Sequence, residues 1–355
     1  MKSRCTAFVF LLLALQQASA QPGVNLDTKI KNLLATAVHA HHHATTYREW
    51  AESPYQPEHF AELLSKQKKQ HYGFHSALCT VLQKTPAVDL FYFSEYLQQK
   101  AAQSACIARE HRRYLRYLKN QQAKISGSFI MSDPEKKLGP SQEILLENKK
   151  NPLIVDGDLP EKTLVLTFDD GPHATRTQEL LDLLASEDAQ VQFFLVGQNS
   201  LRYPELIRQQ QASGHEIGCH SNTHADLRKL SLKDGIAEIE NGFAAITEAL
   251  GVPGVFFRFP YGASTTKLRA HLAATESPEF LWNIDTLDWK YKDPSFLIEY
   301  ALDQVKAEGQ GVVLFHDIQP QTLAIMPGFL AALKNEGYKL AIFRPGEARH
   351  LSPQR

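Results

Sequence analysis

Short apolar runs alternate with longer amphipathic segments from residue 163 to residue 343. The runs are rich in β-branched and aromatic residues, which is typical of buried strands, and they cover residues 163–168, 191–196, 216–220, 255–259, 280–284, 311–315 and 339–343. The segments between them have apolar residues at helical spacing and cover residues 175–187, 203–213, 231–250, 265–274, 294–308 and 321–335. Seven strands alternating with six helices predict an α/β fold of parallel βα units, either closed as a barrel or open as a doubly wound sheet.

The first part of the chain has a different pattern. Residues 24–125 show helical spacing of apolar residues and few strand-like segments, so we expect an all-helical domain there. The next stretch is rich in Gly, Pro and charged pairs, which indicates a linker with one short helix around residues 141–148. The predicted organisation is a leader, a helical accessory domain, a linker and an α/β domain, at residues 1–20, 21–125, 126–162 and 163–355.

The leader has the features of a secretory signal peptide. Lys2 and Arg4 precede a short apolar run, and small residues lead up to Ala20. We therefore expect export to the periplasm, the cell wall or the extracellular space. A membrane anchor is the weaker alternative because the run is short for a bilayer. No later segment reads as a transmembrane helix, and a net charge of −1 gives no argument for a nucleic-acid partner.

Three cysteines would remain after removal of the leader: Cys79, Cys106 and Cys219. An exported protein folds in an oxidising compartment. Cys79 and Cys106 both lie on helical patterns, so they are candidates for a disulfide between two helices, although sequence alone leaves the pairing open. Cys219 would then be the unpaired thiol, facing away from His220 on its strand and into the packing.

Reactive side chains follow five of the predicted strands at the same end. The carboxyl ends of parallel strands meet at one edge of a sheet, so these side chains are expected to share a pocket. Each motif taken singly also fits an ordinary turn or strand end, but their coincidence at one edge favours a functional site. The residues are Asp169, Asp170, His220, His224, Arg258, Asp285, Asp288, Trp289, His316 and Asp317.

The spacing of His220 and His224 suggests a metal site. On a helical turn, two residues four apart lie on one face and can reach one ion. Two histidines and a nearby carboxylate, with water in the remaining position, are typical of catalytic Zn²⁺. Since side chains alternate along extended backbone, one acid of the Asp169–Asp170 pair could bind the ion while the other faces the water. His316 is then the candidate acid.

Five ordered motifs carry a resemblance to a known family. They are TFDDGP at 167–172, HSNTH at 220–224, RFPYG at 258–262, DTLDW at 285–289 and LFH at 314–316. With them, residues 163–345 resemble the polysaccharide deacetylase domain of carbohydrate esterase family 4. The resemblance implies a distorted (β/α) barrel of about seven parallel strands, here preceded by the helical domain.

The resemblance also implies a role for each motif. Asp169 would be the catalytic base, oriented by Arg258, and Asp170 would bind the metal with His220 and His224. His316 would be the general acid, tuned by Asp285, which we favour, or by Asp288. The backbone N–H of Tyr261 would stabilise the oxyanion. The remaining expected substrate contacts are Pro260, Trp289, Leu314 and Asp288, with Trp289 and Leu314 forming an apolar floor for the acetyl methyl group.

The expected reaction is metal-dependent N-deacetylation of N-acetylglucosamine units in an envelope polysaccharide, first of all peptidoglycan. Chitooligosaccharide, exopolysaccharide, O-acetylated xylan and a catalytically silent carbohydrate-binding module are the alternatives. Zn²⁺ suits one Asp and two His best, although other divalent transition metals fit the same ligands. Wall binding, shaping of the groove and oligomerisation all stay open as roles for the helical domain, and the oligomeric state is not predicted.

Overall fold

The computed structural model describes residues 74–85, 87–129, 137–146 and 153–346, together with positions 30, 31, 34 and 64. The chain divides into two compact units, Met1–Tyr117 and Leu118–Arg355. The signal peptide expected at residues 1–20 lies outside the described residues, and export therefore stays a prediction. None of the described helices combines the length and the apolar character that crossing a bilayer requires.

The described part of the first unit is built from helices, as its apolar spacing predicts. It holds α1 (Phe74–Lys84), α2 (Ser94–Lys100) and the start of α3 (Ala105–Phe129), with 3₁₀ turns between them. Cys79 and Cys106 form a disulfide that joins α1 to α3, with their Cα atoms 6.1 Å apart. This bond answers the pairing question that the sequence left open, and among the described cysteines Cys219 is a buried free thiol.

The second unit alternates strands and helices. Its strands are β1 (Gln142–Leu146), β2 (Leu153–Ile154), β3 (Thr163–Asp169), β4 (Gln192–Leu195), β5 (Glu216–Cys219), β6 (Glu279–Phe280), β7 (Ile284–Asp285), β8 (Gly311–His316) and β9 (Lys339–Pro345). Its helices after α3 are α4 (Arg176–Ser186), α5 (Gly197–Arg202), α6 (Pro204–Ala212), α7 (Leu232–Leu250), α8 (Thr266–Ala274), α9 (Pro294–Glu308) and α10 (Pro320–Glu336).

Strand β3 lies in the middle of the main sheet, between β4 and β8. The sheet continues from β4 to β5 and from β8 to β7, while β9 pairs with the first residues of β3 and carries β1 at its far side. Strand β6 pairs with β2, and isolated bridges at Phe257 connect the end of β5 to the start of β6. All these strand pairs are parallel, which confirms the predicted βα architecture.

Two apolar clusters hold this sheet. Leu164, Leu166 and Phe168 of β3 pack outward against the helices, whereas Val165 points to the other face. On that inner face, side chains from β3, β4, β6, β8 and β9 meet in one cluster, so the sheet curves around it as a distorted barrel. Burying one Leu or Phe side chain stabilises the fold by roughly 1.5–3 kcal/mol, and these residues are almost fully buried.

Some predicted elements differ from the structure. The helix expected at residues 141–148 is wrong, because this segment forms β1 and gains its hydrogen bonds from β9, a partner remote in sequence. The run at 255–259 makes single bridges rather than a ladder, and the run at 280–284 divides between β6 and β7. The other predicted strands and all six predicted helices are present within a few residues of their expected bounds.

Candidate active site

The reactive residues predicted at the strand ends come together at the carboxyl edge of the sheet. Asp169 ends β3 and His316 ends β8, and the two are register partners in the β3–β8 ladder. His220 directly follows β5, and Arg258 follows the bridge at Phe257. The four reactive residues are at most 2% exposed. The fold therefore buries several ionisable groups at one edge, which is costly unless they pair.

The two adjacent acids contact different partners. Asp169 Oδ1 accepts a hydrogen bond of 2.7 Å from Arg258 Nη1. Asp170 Oδ1 instead lies 3.0 Å from His224 Nε2 and 3.5 Å from His220 Nε2. Strand alternation, the expected cause of this separation, is not the reason for it. Asp170 lies just past the strand with a φ of 74°, a left-handed conformation that the short polar side chain of Asp tolerates better than most.

Asp170, His220 and His224 form a cluster that fits a metal ion. One ligand atom from each residue lies within 4.8 Å of the others. Burial raises the pKa of Asp170, but the imidazoles of His224, His316 and His220 outweigh burial and hold this pKa low. Burial lowers the pKa of His220 to about 4. At neutral pH the cluster therefore offers an ionised carboxylate and a neutral imidazole, the forms that bind metal.

The two histidines lie in a loop and not on the helical turn that their spacing suggested. Ser221 and His224 have φ values of 65° and 63°, and this reversal brings the two imidazole centroids to 4.9 Å. His220 Nδ1 lies 2.8 Å from the carbonyl oxygen of Arg258. Since a carbonyl can only accept, Nδ1 carries the proton and Nε2 keeps its lone pair for the cluster.

Arg258 links the base candidate to the barrel interior. Its Nη1 donates to Thr167 Oγ1 at 2.8 Å as well as to Asp169, and its Nη2 donates to the carbonyl of Leu281 at 2.9 Å. The guanidinium carbon lies 4.1 Å from the ring centroid of Phe194. Burial lowers the pKa of Arg258 and the Asp169 carboxylate opposes this effect. The pair leaves Asp169 Oδ2 directed toward the cluster, 3.7 Å from His220 Nε2.

His316 is paired with Asp288, and the favoured assignment to Asp285 is wrong. Asp288 Oδ1 accepts from His316 Nδ1 at 2.7 Å, and Asp288 Oδ2 accepts from the His316 backbone N–H at 2.7 Å. Burial lowers the pKa of His316, but the charges of Asp288, Asp170 and Asp169 raise it to about 10. His316 Nε2 faces Asp170 Oδ2 at 4.0 Å. The imidazole is therefore a proton donor at neutral pH, aimed at the cluster.

Asp285 builds the turn that carries Asp288. Its Oδ1 accepts from the backbone N–H of Leu287 at 2.9 Å, and Leu287 has a φ of 51°. Asp288 was also expected to contact substrate, but it is fully buried and holds His316 instead. Leu287, directly before Asp288, is left-handed, so the segment between the two acids is not a regular strand.

Of the remaining substrate-contact candidates, one contacts the cluster directly and three are buried. Tyr261 has a φ of 62°, packs edge-on to the His224 ring at 4.8 Å and donates its hydroxyl to the His224 carbonyl at 3.3 Å. Pro260, Trp289 and Leu314 are buried. The structure thus places Tyr261 directly against a residue of the Asp170 cluster, while the predicted acetyl contacts stay predictions.

Two supporting residues received no role from the sequence. Thr322 of α10 donates to Asp288 Oδ2 at 2.6 Å, fixing that carboxylate from a helix remote in sequence. Asp317 is fully buried and accepts from Thr177 Oγ1. A Cβ on Gly171 would lie 2.5 Å from both Asp317 oxygens, so the turn after the acid pair packs on this carboxyl. Burial raises the pKa of Asp317 to about 7. The position of Asp317 at a strand end was the one sequence feature that could have indicated a role for either residue.

Known proteins are similar to this chain in sequence and in fold. The polysaccharide deacetylase family profile matches residues 156–278. A peptidoglycan-N-acetylglucosamine deacetylase of Bacillus cereus is 32% identical over 206 residues, which cover 55% of this chain and 74% of that protein. The corresponding enzyme PgdA of Listeria monocytogenes is 32% identical over 178 residues, or 37% of its length. The solved peptidoglycan deacetylase Bd3279 of Bdellovibrio bacteriovorus superposes with a TM-score of 0.79 at 29% identity, covering 92% of this chain and 99% of that one. The chain therefore belongs to the polysaccharide deacetylase family and is a hydrolytic deacetylase.

Proposed function

We propose that this protein removes the N-acetyl group from N-acetylglucosamine units of peptidoglycan and releases acetate. The observation that carries this proposal is the placement of a carboxylate and an imidazole on either side of one ligand set, each held by its own buried partner. Asp169 is held by Arg258 on one side of the Asp170 cluster, and His316 is held by Asp288 on the other. Amide hydrolysis needs both a base for the attacking water and an acid for the departing amine.

Asp169 is the base in this proposal. Its Oδ1 is occupied by Arg258, which leaves Oδ2 to accept a proton from a water at the cluster. The hydrogen bond from the buried guanidinium fixes the orientation of this carboxylate. The product of this step is a protonated Asp169 and a tetrahedral carbon on the substrate.

His316 is the acid in this proposal. Asp288 accepts from Nδ1, so the ring is fixed with Nε2–H directed toward the Asp170 side of the site. Donation from Nε2 to the substrate nitrogen allows the C–N bond to break and the amine to leave. The hydrogen bond and charge of Asp288 stabilise the imidazolium before the transfer.

Asp170, His220 and His224 would hold one divalent cation, for which we propose Zn²⁺. Two imidazoles and one carboxylate match the donor set of catalytic zinc sites, which keep an open position. When bound, the ion supplies Lewis-acid polarisation of the carbonyl and lowers the pKa of a bound water. The hydrogen bond from His220 Nδ1 to the Arg258 carbonyl supports this role because it fixes the ligating nitrogen.

Substrate contacts complete the proposal. The Tyr261 N–H would stabilise the oxyanion, with Pro260 beside it, and Trp289 and Leu314 would receive the acetyl methyl group. Peptidoglycan is favoured because the Bacillus cereus and Listeria relatives are named for that substrate. The expected export of this chain would bring it to the envelope.

The test is acetate release from purified peptidoglycan, chitooligosaccharide and acetylxylan, before and after removal of metal by a chelator. We expect peptidoglycan to be preferred, activity to be lost on metal removal and Zn²⁺ to restore it. A preference for acetylxylan would replace the proposal by O-deacetylation. Binding to glycans without acetate release from any polymer would identify a silent binding module.

One observation supports a role of the N-terminal unit in this function. The Bdellovibrio peptidoglycan deacetylase matches 92% of this chain, a share that extends well beyond the second unit. We propose that the helical unit supports this activity, with binding to the wall, shaping of the groove and oligomerisation as its three candidate roles. Deleting residues 21–117, up to the start of the second unit, should reduce acetate release from intact walls alone if the helical unit binds the wall, whereas loss on soluble oligomers as well would indicate a role in the groove or in folding.

A further inference from the structure

Helix α7 holds the loop that carries both histidine ligands. Glu238 of this helix reaches the loop between His220 and His224. Its Oε2 accepts from the backbone N–H groups of Asn222 and Thr223 at 3.2 and 2.8 Å, and its Oε1 accepts from Thr223 Oγ1 at 2.9 Å. One carboxylate from outside the family motifs therefore satisfies three donors in the middle of the loop.

The same helix face approaches the loop closely one turn later. A Cβ on Gly242 would lie 2.6 Å from Cys219 Sγ and 2.7 Å from the carbonyl carbon of Ser221. Residues four apart share a helix face, so Glu238 and Gly242 act on the loop together. Gly242 lets the helix backbone come near enough for the Glu238 carboxylate to reach the loop.

Helix α5 contacts the loop from its own first residues. The backbone N–H of Gly197 donates to the Ser221 carbonyl at 2.9 Å, and that of Gln198 donates to the Asn222 carbonyl at 3.0 Å. The loop needs such support because Ser221 and His224 are both left-handed, a conformation that non-glycine residues keep when their surroundings determine it.

We propose that Glu238 is a positioning residue of the metal site, which keeps both imidazoles arranged for one cation before the cation arrives. The inference rests on the proposed metal site. Without the carboxylate, the loop would spread over other backbone conformations, and a ligand's apparent affinity falls with the fraction of molecules that are competent to bind it.

The test is the Zn²⁺ dissociation constant of the metal-stripped protein, measured by competition with a chromophoric chelator. Glu238→Ala should weaken binding about tenfold, the lower end of the loss seen when groups that orient metal ligands are removed. Glu238→Gln keeps an acceptor for the backbone N–H groups, so its Zn²⁺ dissociation constant should lie between those of the wild type and Glu238→Ala. Glu248→Ala removes an exposed carboxylate further along the same helix and should bind as wild type does.

Excess Zn²⁺ should restore most of the deacetylase activity of Glu238→Ala, because the variant lacks preorganisation and keeps all catalytic groups. An unchanged dissociation constant in Glu238→Ala would overturn the inference and leave the proposed function standing. Failure of the wild type to bind Zn²⁺ would instead overturn the proposed zinc site, and this inference with it. If Glu238→Ala does not fold, Thr223→Val, which removes one of the three donors, must bind Zn²⁺ more weakly than wild type, and equal binding would overturn the inference.

Discussion

Replacing Asp288 by Asn tests the pairing that makes His316 an acid. Both carboxylate oxygens of Asp288 face donors, namely His316 Nδ1 for Oδ1 and the His316 backbone N–H and Thr322 hydroxyl for Oδ2. Asn has nearly the same shape, but its NH₂ group must meet one of these donors whichever way the amide is oriented. The variant therefore loses the negative charge and at least one hydrogen bond, with little change in volume.

The expected effect on His316 follows from the distance. A carboxylate and an imidazolium with centres about 4 Å apart interact by about 4 kcal/mol at an effective dielectric constant of about 20, so losing the charge should lower the pKa of His316 by about 3. The general acid works in its protonated form, and activity disappears as the pH rises through that pKa. A bound cation lowers this pKa in wild type and variant alike, so it does not change the difference between them. Because the variant lacks the Asp288 charge, its alkaline limb should lie at lower pH than that of the wild type.

The assay is acetate release measured as kcat/KM from pH 5 to pH 10 for the wild type, Asp288→Asn and Asp285→Asn. Above the displaced limb, Asp288→Asn should lose at least about 100-fold, the lower range for removal of a general acid. Asp285→Asn is the comparison variant, because Asp285 accepts from the Leu287 N–H and acts on His316 only through its charge, so its alkaline limb should move less. An alkaline limb that moves in Asp285→Asn and not in Asp288→Asn would refute the reasoning.

Three further changes test other contacts. Asp170→Ala should abolish Zn²⁺ binding in equilibrium dialysis, whereas Asp169→Asn should bind Zn²⁺ and lose acetate release; equal metal loss would contradict the division of roles. Gly171→Ala forces a Cβ against the Asp317 carboxylate and should destabilise the fold by about 1–3 kcal/mol in denaturant unfolding, so an unchanged midpoint would contradict the close approach. Burial lowers the pKa of His215 from 6.5 to about 4 in the folded protein. As the pH falls from 6.5 to about 4, the unfolded chain therefore binds a proton at His215 that the folded protein does not, and the free energy of unfolding decreases. His215→Asn cannot titrate and should lose less stability over that range in the same assay, and equal losses would refute this account.

The architecture of the α/β domain could be predicted because its strands are buried on both faces. Such strands read as continuous apolar runs, as the fully buried β3 does. Parallel topology then places all carboxyl ends at one edge, so the reactive residues could be grouped before any distance was known. Strand β1 could not be found in this way, because Leu145 is exposed and the segment owes its conformation to β9.

The detailed site depends on backbone conformations that residue patterns do not encode. Asp170, Ser221, His224, Tyr261 and Leu287 all have positive φ, although none is glycine. Strand alternation and helical spacing both assume regular dihedrals. For that reason neither explains how the two acids separate or how the two histidines meet at this edge. The choice between Asp285 and Asp288 failed for the same reason, since Leu287 between them is left-handed.

This concentration of left-handed residues explains why the supports of the site lie outside its motifs. A left-handed non-glycine residue costs roughly 1–3 kcal/mol and persists where its surroundings determine it. Glu238 supplies that constraint for the histidine loop, and Thr322 fixes the Asp288 carboxylate from α10. Substitutions at such supports should therefore weaken metal binding or shift the pH profile while every motif residue is intact. A motif can thus identify the chemistry of this site, but its affinity and pH range depend on helices that the motif does not include.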